Sequence, residues 1–347
     1  MQMIENCQKI EPDSISRIFC KPFTKNYLNR PAMKKEISRR NFTRLSLTGT
    51  AALLMNRPGI NPYVLTGANC IRLGGPVFGD FKDPQEWTKA VKAKGYSAAY
   101  CPVPVGTDET VVRAFEKAAK EANIIISEVG AWSNPVSKNE KERKEAIKKC
   151  KDSLALADLI GAGCCVNISG SRGEKWDGPD PENISSHTFD LIVQTTRDII
   201  DEVKPVRTFF TLETMPWALP DSPDSYLELI KAIDRKQLAV HLDPVNMINS
   251  PRRYYNTGAF IKECFDKLGP YIKNCHAKDI LLGNNLTVHL DEVLPGTGGL
   301  DYKVFLTELS RLKEVPLMLE HLKKSEEYDQ AASNVRKIGA SIGIQFC

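Results

Sequence analysis

Phe209-Phe210-Thr211-Leu212-Glu213, Leu238-Ala239-Val240-His241-Leu242-Asp243, Ile272-Lys273-Asn274-Cys275-His276 and Pro316-Leu317-Met318-Leu319-Glu320 share one pattern. Each is a short apolar run that ends in a side chain able to hold a metal ion. Runs of this length, rich in branched and aromatic residues, read as buried β-strands. The intervals between their terminal ligands are 30, 33 and 44 residues. A strand and its return helix take roughly 30 residues in a (β/α)₈ barrel, where about 250 residues make eight units. Four successive strands would then deliver Glu213, Asp243, His276 and Glu320 to one rim. Three hard oxygen ligands and an imidazole meeting there predict a divalent-metal site with room for a substrate.

Working back towards the N-terminus, strands and helices alternate from Cys70, the pattern of βαβ units. Strands are predicted at 70–74, 96–101, 124–129 and 164–169. Helices are predicted at 84–94, 108–123, 138–161 and 185–203, with Asp108 as an N-cap. In the second half the helices fall at 222–233, 257–268, 301–312 and 325–342. An open doubly wound sheet could alternate in the same way, but no Gly-x-Gly-x-x-Gly follows the first strand and no phosphate loop is present. The expected fold is therefore α/β, a single-domain (β/α)₈ TIM barrel over residues 67–347.

The segment before it reads as an address. Residues 1–32 form a leader to which no structure is assigned. Ser38-Arg39-Arg40-Asn41-Phe42-Thr43-Arg44-Leu45 resembles a twin-arginine export signal, with Leu45 to Met55 as its modest hydrophobic segment. Residues 33–66 are thus expected to be that signal and a linker rich in Pro, Gly and Asn, and an exported, periplasmic location follows. A basic amphipathic helix is the plainer alternative. No later stretch has 18 consecutive apolar residues, so no membrane contact is expected beyond the signal. A net charge of +4 is too small to argue for nucleic acid. The ten cysteines contain no Cys-x-x-Cys pair and are expected as buried small hydrophobes, not as a disulfide framework.

Read singly, Glu213 could cap a helix, Asp243 could end its strand before Pro244, and His276 could be a hydrogen-bonded core histidine. Together they are hard to explain without a shared ligand, because charged groups are rarely buried unpaired. At this point a resemblance becomes specific. Leu212-Glu213-Thr214, His241-Leu242-Asp243-Pro244-Val245-Asn246, Cys275-His276-Ala277-Lys278-Asp279, the glycine-rich run Pro295 to Tyr302 and Leu319-Glu320-His321 resemble the sugar phosphate isomerase/epimerase family of xylose-isomerase-like TIM barrels. The resemblance implies one divalent ion, Mn²⁺ first with Mg²⁺, Co²⁺ or Zn²⁺ as alternatives, held by Glu213, Asp243, His276 and Glu320. It also implies that the two glutamates act as acid and base on a small carbohydrate, and that the chain forms homo-oligomers. An enediolate beside a metal-polarised carbonyl supports isomerisation or epimerisation, and the same intermediate supports a lyase, dehydratase or hydratase if a leaving group departs. Export argues for a substrate without phosphate, a keto-sugar or keto-glycoside.

Further candidates follow from position. His241 lies two residues before Asp243 and Lys278 two after His276, so both are expected to face inward with the ligands, His241 to reach the substrate or fill the barrel interior and Lys278 to hold an oxyanion. Asn246 could bond a hydroxyl or shape its turn, and Asp279 is expected to orient a loop or the histidine. Glu128 and Asn167 end or line strands three and four and are candidates for the polar wall. Trp132 and Trp217 could stack on a sugar face or simply form the rim. Arg252, in the loop after strand six, could bind an anionic group or be solvated. His321, next after Glu320, is expected to point away from the lumen.

Overall fold

The computed structural model describes residues 70–347; the leader and the twin-arginine segment lie outside the described residues. Eight parallel strands close into a barrel: β1 (Leu73–Gly74), β2 (Ala98–Tyr100), β3 (Ile125–Gly130), β4 (Cys164–Asn167), β5 (Phe210–Glu213), β6 (Leu238–Leu242), β7 (Ile272–Ala277) and β10 (Leu317–Leu319). β1 pairs with both β2 and β10, which completes the ring. The helices are α1 (Pro84–Ala93), α2 (Glu109–Glu121), α3 (Glu140–Ile160), α4 (Ser186–Val203), α5 (Pro223–Ile233), α6 (Pro251–Tyr254), α7 (Thr257–Leu268), α8 (Tyr302–Leu309) and α9 (Ser325–Ser341). Two features were not expected. One is the single-turn α6, and the other is an antiparallel hairpin of β8 (Asp279–Leu282) and β9 (Leu290–Val293) between β7 and α8.

Local signals set the helix boundaries. Asp83, Asp108, Asn139, Ser185, Ser222 and Asp301 each accept a backbone N–H at a helix start. Gly161, at φ 74°, ends α3 in the left-handed conformation that glycine adopts without strain. The strands alternate as the pleat requires. Leu212, Val240, Leu242, Cys275, Leu317 and Leu319 belong to the hydrophobic layer beneath the helices, where Phe260, Phe265 and Phe305 also pack. Burying each such side chain contributes about 1.5–3 kcal/mol. Tyr226 of α5 reaches into this layer, accepting the Leu212 N–H (3.1 Å) with its hydroxyl 2.6 Å from Leu212 O and 2.9 Å from Ala239 O. That contact ties β5 to β6 just before the strands deliver Glu213 and Asp243.

The expectation for the cysteines needs one correction. Cys70 and Cys347 form a disulfide that closes the two ends of the barrel chain, 277 residues apart, beside the parallel bridge Ile71–Phe346. Among the described residues, five of the six free cysteines are buried, as a small hydrophobe should be.

Candidate metal centre and active site

Glu213, Asp243, His276 and Glu320 converge at the carboxyl ends of β5, β6, β7 and β10. One ligand atom from each lies within 4.8 Å of the others. Oxygen and nitrogen ligands of a single divalent ion sit about 2.0–2.6 Å from it, so opposite ligands lie about 4–5 Å apart. His276 Nδ1 is 2.8 Å from Glu320 Oε1, 3.3 Å from Glu213 Oε1 and 3.8 Å from Asp243 Oδ2.

The chemistry of the donors also fits a metal. Asp243 uses Oδ1 to accept the N–H groups of Val245 (3.0 Å) and Asn246 (3.3 Å), so the Pro244-Val245-Asn246 turn fixes that oxygen and aims Oδ2 inward. Asp243 Oδ2 and Glu320 Oε1 are buried and face each other across the cluster. Lys278 Nζ forms ion pairs with them at 2.8 and 2.7 Å. Two inward carboxylate oxygens thus crowd one ammonium and one imidazole. A multivalent cation suits that concentration of inward carboxylate oxygens beside an imidazole.

Electrostatics bind the cluster together. Burial opposes ionisation of Asp243, yet Lys278 and His276 hold its carboxyl well below the usual range. Burial likewise opposes Glu320, and His276 and Lys278 outweigh it. Burial pushes the His276 and Lys278 pKa values down, but the carboxylates around them win, so both are raised well above their ordinary values. Asn246 bridges the set: its amide donates to Glu213 Oε1 and Thr214 O (both 3.0 Å), and its carbonyl accepts from Lys278 Nζ at 3.1 Å.

A second polar group lies beneath the ligands. Glu128 Oε2 accepts from His241 Nε2 at 2.9 Å and from the Asn274 amide, and stands 3.5 Å from His276 Nε2. Burial would raise the Glu128 pKa, but the two histidines hold it well below the carboxylate range. Two register shifts build this arrangement. One between Ala99 and Tyr100 sets Glu128 beside Tyr100, and one between Val240 and His241 sets Asn274 beside His241. Bulges of this kind re-aim side chains near barrel rims.

The site opens into a cavity of about 790 Å³. Glu128, Glu213, Asn246, Lys278 and Glu320 line it, and Trp132 and Trp217 do so nearer the solvent. Three residues expected at the substrate are elsewhere. His241, wholly buried and bonded to Glu128, fills the barrel interior and does not line the cavity. Asn167 turns outward to α3, accepting from Ser133 N (3.0 Å) and donating to Cys150 Sγ (3.2 Å), because it is one residue out of phase with the inward face of β4. Arg252 is exposed on α6 and does not line the cavity. His321 also differs: at φ 59° its backbone turns the ring back to the mouth, 3.2 Å from Glu292. Asp279 orients a loop, accepting N–H groups from Ile280, Gly296, Gly298 and Leu300. A Cβ on Gly298 would sit 2.4 Å from that carboxylate, so only glycine allows the approach. Asn274 was legible by its spacing of two from His276; Trp176, a third tryptophan on the cavity wall, carried no signal in its loop.

Residues 87–338 match the model of the xylose isomerase-like TIM barrel. The chain belongs to that family. A 3-dehydroshikimate dehydratase of Bacillus anthracis is 25% identical over 145 residues, 42% of this chain and 47% of that one. The chain spans between about half and three-fifths of the length of the curated relatives it matches. Two solved structures share the fold, each with a TM-score of 0.57. A magnesium complex of a xylose isomerase-like barrel from Mycobacterium smegmatis is 15% identical, covering 79% of this chain and 96% of its own. A D-psicose 3-epimerase from Clostridium cellulolyticum H10, solved with D-tagatose, is 13% identical, covering 79% and 100%.

Proposed function

We propose that this family member is a divalent-metal-dependent enzyme that isomerises or epimerises an uncharged keto-sugar by moving a proton at the carbon beside its carbonyl. One observation carries the reading: two glutamates from strands on opposite sides of His276 stand at one metal-ligand cluster facing one cavity. When bound, the ion supplies Lewis acidity, which lowers the cost of negative charge on the carbonyl oxygen. Glu213 and Glu320 are the groups that take the proton from carbon and return it, a contribution of about 10²–10⁴-fold in such steps. Asn246 fixes the Glu213 carboxylate, and the Lys278 ammonium is placed to hold a substrate oxygen as charge develops on it.

The absence of charge on the substrate rests on the lining. Among the described residues of the cavity, Lys278 faces carboxylates, Lys175 pairs with Asp177 at 3.0 Å, and His321 pairs with Glu292. Each of these cations already faces a carboxylate, which favours an uncharged substrate over a phosphate. A second reading, loss of water from the same enolised sugar, is favoured by the dehydratase relative. Export of the barrel by the twin-arginine route is part of the proposal, supported by Arg39-Arg40 and by a disulfide suited to an oxidising compartment.

The test is proton exchange. The metal-loaded full chain should exchange a substrate proton with D₂O on at least one of a panel of ketoses and keto-glycosides, and Glu213→Gln should not. An epimer as product supports the first reading and an unsaturated product the second. A loaded protein that exchanges nothing across the panel sinks both.

A further inference from the structure

The polar groups of the cavity are gathered at its base, while the mouth is walled by tryptophan. Trp132 follows β3, Trp176 follows β4 and Trp217 follows β5, so three successive loops each contribute one indole. The chain has four tryptophans, and the fourth, Trp87, is core. The three at the mouth stand 37%, 36% and 39% exposed, which leaves large apolar faces in water beside a catalytic cavity.

These rings are fixed in place. The Trp217 indole N–H donates to Asp177 O at 2.8 Å, linking the β5 loop to the β4 loop. The Trp176 segment is a turn closed by Gly178 N to Lys175 O (2.9 Å) and by the Lys175–Asp177 ion pair. Trp132 lies over Gly130, where a Cβ would come 2.4 Å from its Nε1; the glycine is what lets the ring lie there. Elsewhere at the mouth, Glu292 and His321 line the cavity as a hydrogen-bonded pair, and Tyr328 lines it too.

Apolar ring faces beside polar edge groups complement a pyranose, whose C–H faces stack on aromatics and whose hydroxyls bond at the rim. The tryptophans and the ligand cluster line one cavity of about 790 Å³, room for more than the single ring held at the metal ligands. We infer that Trp132, Trp176 and Trp217 form a subsite for a second, uncharged sugar ring, so that the substrate is a glycoside or disaccharide carrying the keto group on the ring at the base. The inference rests on the proposed function for the chemistry of that inner ring, but binding at the mouth needs no turnover.

The experiment uses tryptophan fluorescence of the full metal-loaded chain, titrated with glucose and with α-1,4-, β-1,4- and α,α-1,1-linked glucose disaccharides. At least one disaccharide should quench the emission with an affinity ten-fold or more above that of glucose. Trp176→Ala and Trp217→Ala should each remove most of that advantage while leaving the metal affinity, measured by chelator competition on the same samples, unchanged. Equal affinity for glucose and every disaccharide, no binding by any of them, or Trp variants that retain the preference would overturn the subsite. Disaccharide preference in a protein that holds no metal would uphold the subsite and remove the proposed chemistry.

Discussion

The base and the mouth of one cavity are built by opposite means. At the base, Glu128, His241, Asp243, Asn274, His276 and Lys278 are almost wholly buried, and each lies in a strand or is the residue just after one. At the mouth, the tryptophans, Glu292 and His321 are half open to water and stand on loops or an outlying hairpin. Charge is concentrated where solvent is scarce, so its interactions are strong and its geometry rigid. Apolar area is displayed where solvent is plentiful. Chemistry should therefore fail sharply when the base is altered, while selectivity should degrade by degrees when the mouth is altered.

The largest effect is expected from the two glutamates. Glu213→Gln and Glu320→Gln should each lower D₂O exchange by about 10²–10⁴-fold, the usual contribution of a positioned acid or base. Each should also weaken the metal, which inductively coupled plasma analysis after dialysis would report. A variant of either that keeps the wild-type exchange rate would break the assignment of the base as the reacting end.

Next comes Glu128. Its carboxylate stands 3.5 Å from His276 Nε2, so it can fix the ring with Nδ1 turned to the ligand cluster. Outer partners of this kind typically tune metal affinity by about 10–100-fold. Glu128→Gln should weaken metal binding by that factor in a chelator competition, and Glu128→Asp should recover part of it. If the affinity of Glu128→Gln matched wild type, the group beneath the ligands would be packing alone.

How much of this was legible follows the same division. The four ligands could be read because a strand alternates with period two and each ended an apolar run; His241 and Lys278 followed by counting two residues along the chain. The period misled only where phase was uncertain: Asn167 ends β4 on the outward face, held by Ser133 and Cys150. His321 escaped because a positive φ breaks the alternation after Glu320. The register shifts that bring Glu128 and Asn274 together are properties of strand pairs, and no single strand encodes them. The Cys70–Cys347 pair joins residues 277 apart, to which local patterns are blind; the β8–β9 hairpin is local, but its short, half-exposed strands carry no strong apolar period.

A smaller and graded effect is expected from pH. The carboxylates raise the His276 pKa, so the folded chain binds that proton more tightly than the unfolded chain does. The associated stability of the metal-free protein is present at low pH and lost as pH rises through the raised value. A metal ion competes with the same proton, so apparent metal affinity should fall as pH is lowered beneath that value, and binding should release protons. Asp243 and Glu128, both depressed, act the other way on stability: their contribution is present above the ordinary carboxylate range and lost as acid reaches their lowered values. Calorimetry in buffers of different ionisation enthalpy measures the released protons directly. Metal binding with no proton release between pH 6 and 8, and no pH dependence of affinity, would mean that His276 does not exchange a proton for the ion.

The smallest effect belongs to the residue that the cavity leaves out. Arg252 sits exposed on α6, where its carbonyl, not its guanidinium, caps the chain by accepting from Asn256 at 2.9 Å. Exposed substitutions away from special features usually stay within about 0.5 kcal/mol. Arg252→Ala should therefore leave metal affinity and exchange on uncharged substrates within about a factor of two of wild type, and shift the melting temperature by no more than about 2 °C. The same variant sharpens the comparison of base and mouth. If the substrate carried a phosphate, the α6 surface would be a plausible place for a cation to steer it, and the loss would appear as a salt-dependent fall in kcat/KM with kcat intact. A change of that form would move the recognition of charge outside the cavity and count against an uncharged substrate. No change would leave discrimination to the tryptophan wall and chemistry to the strand ends beneath it.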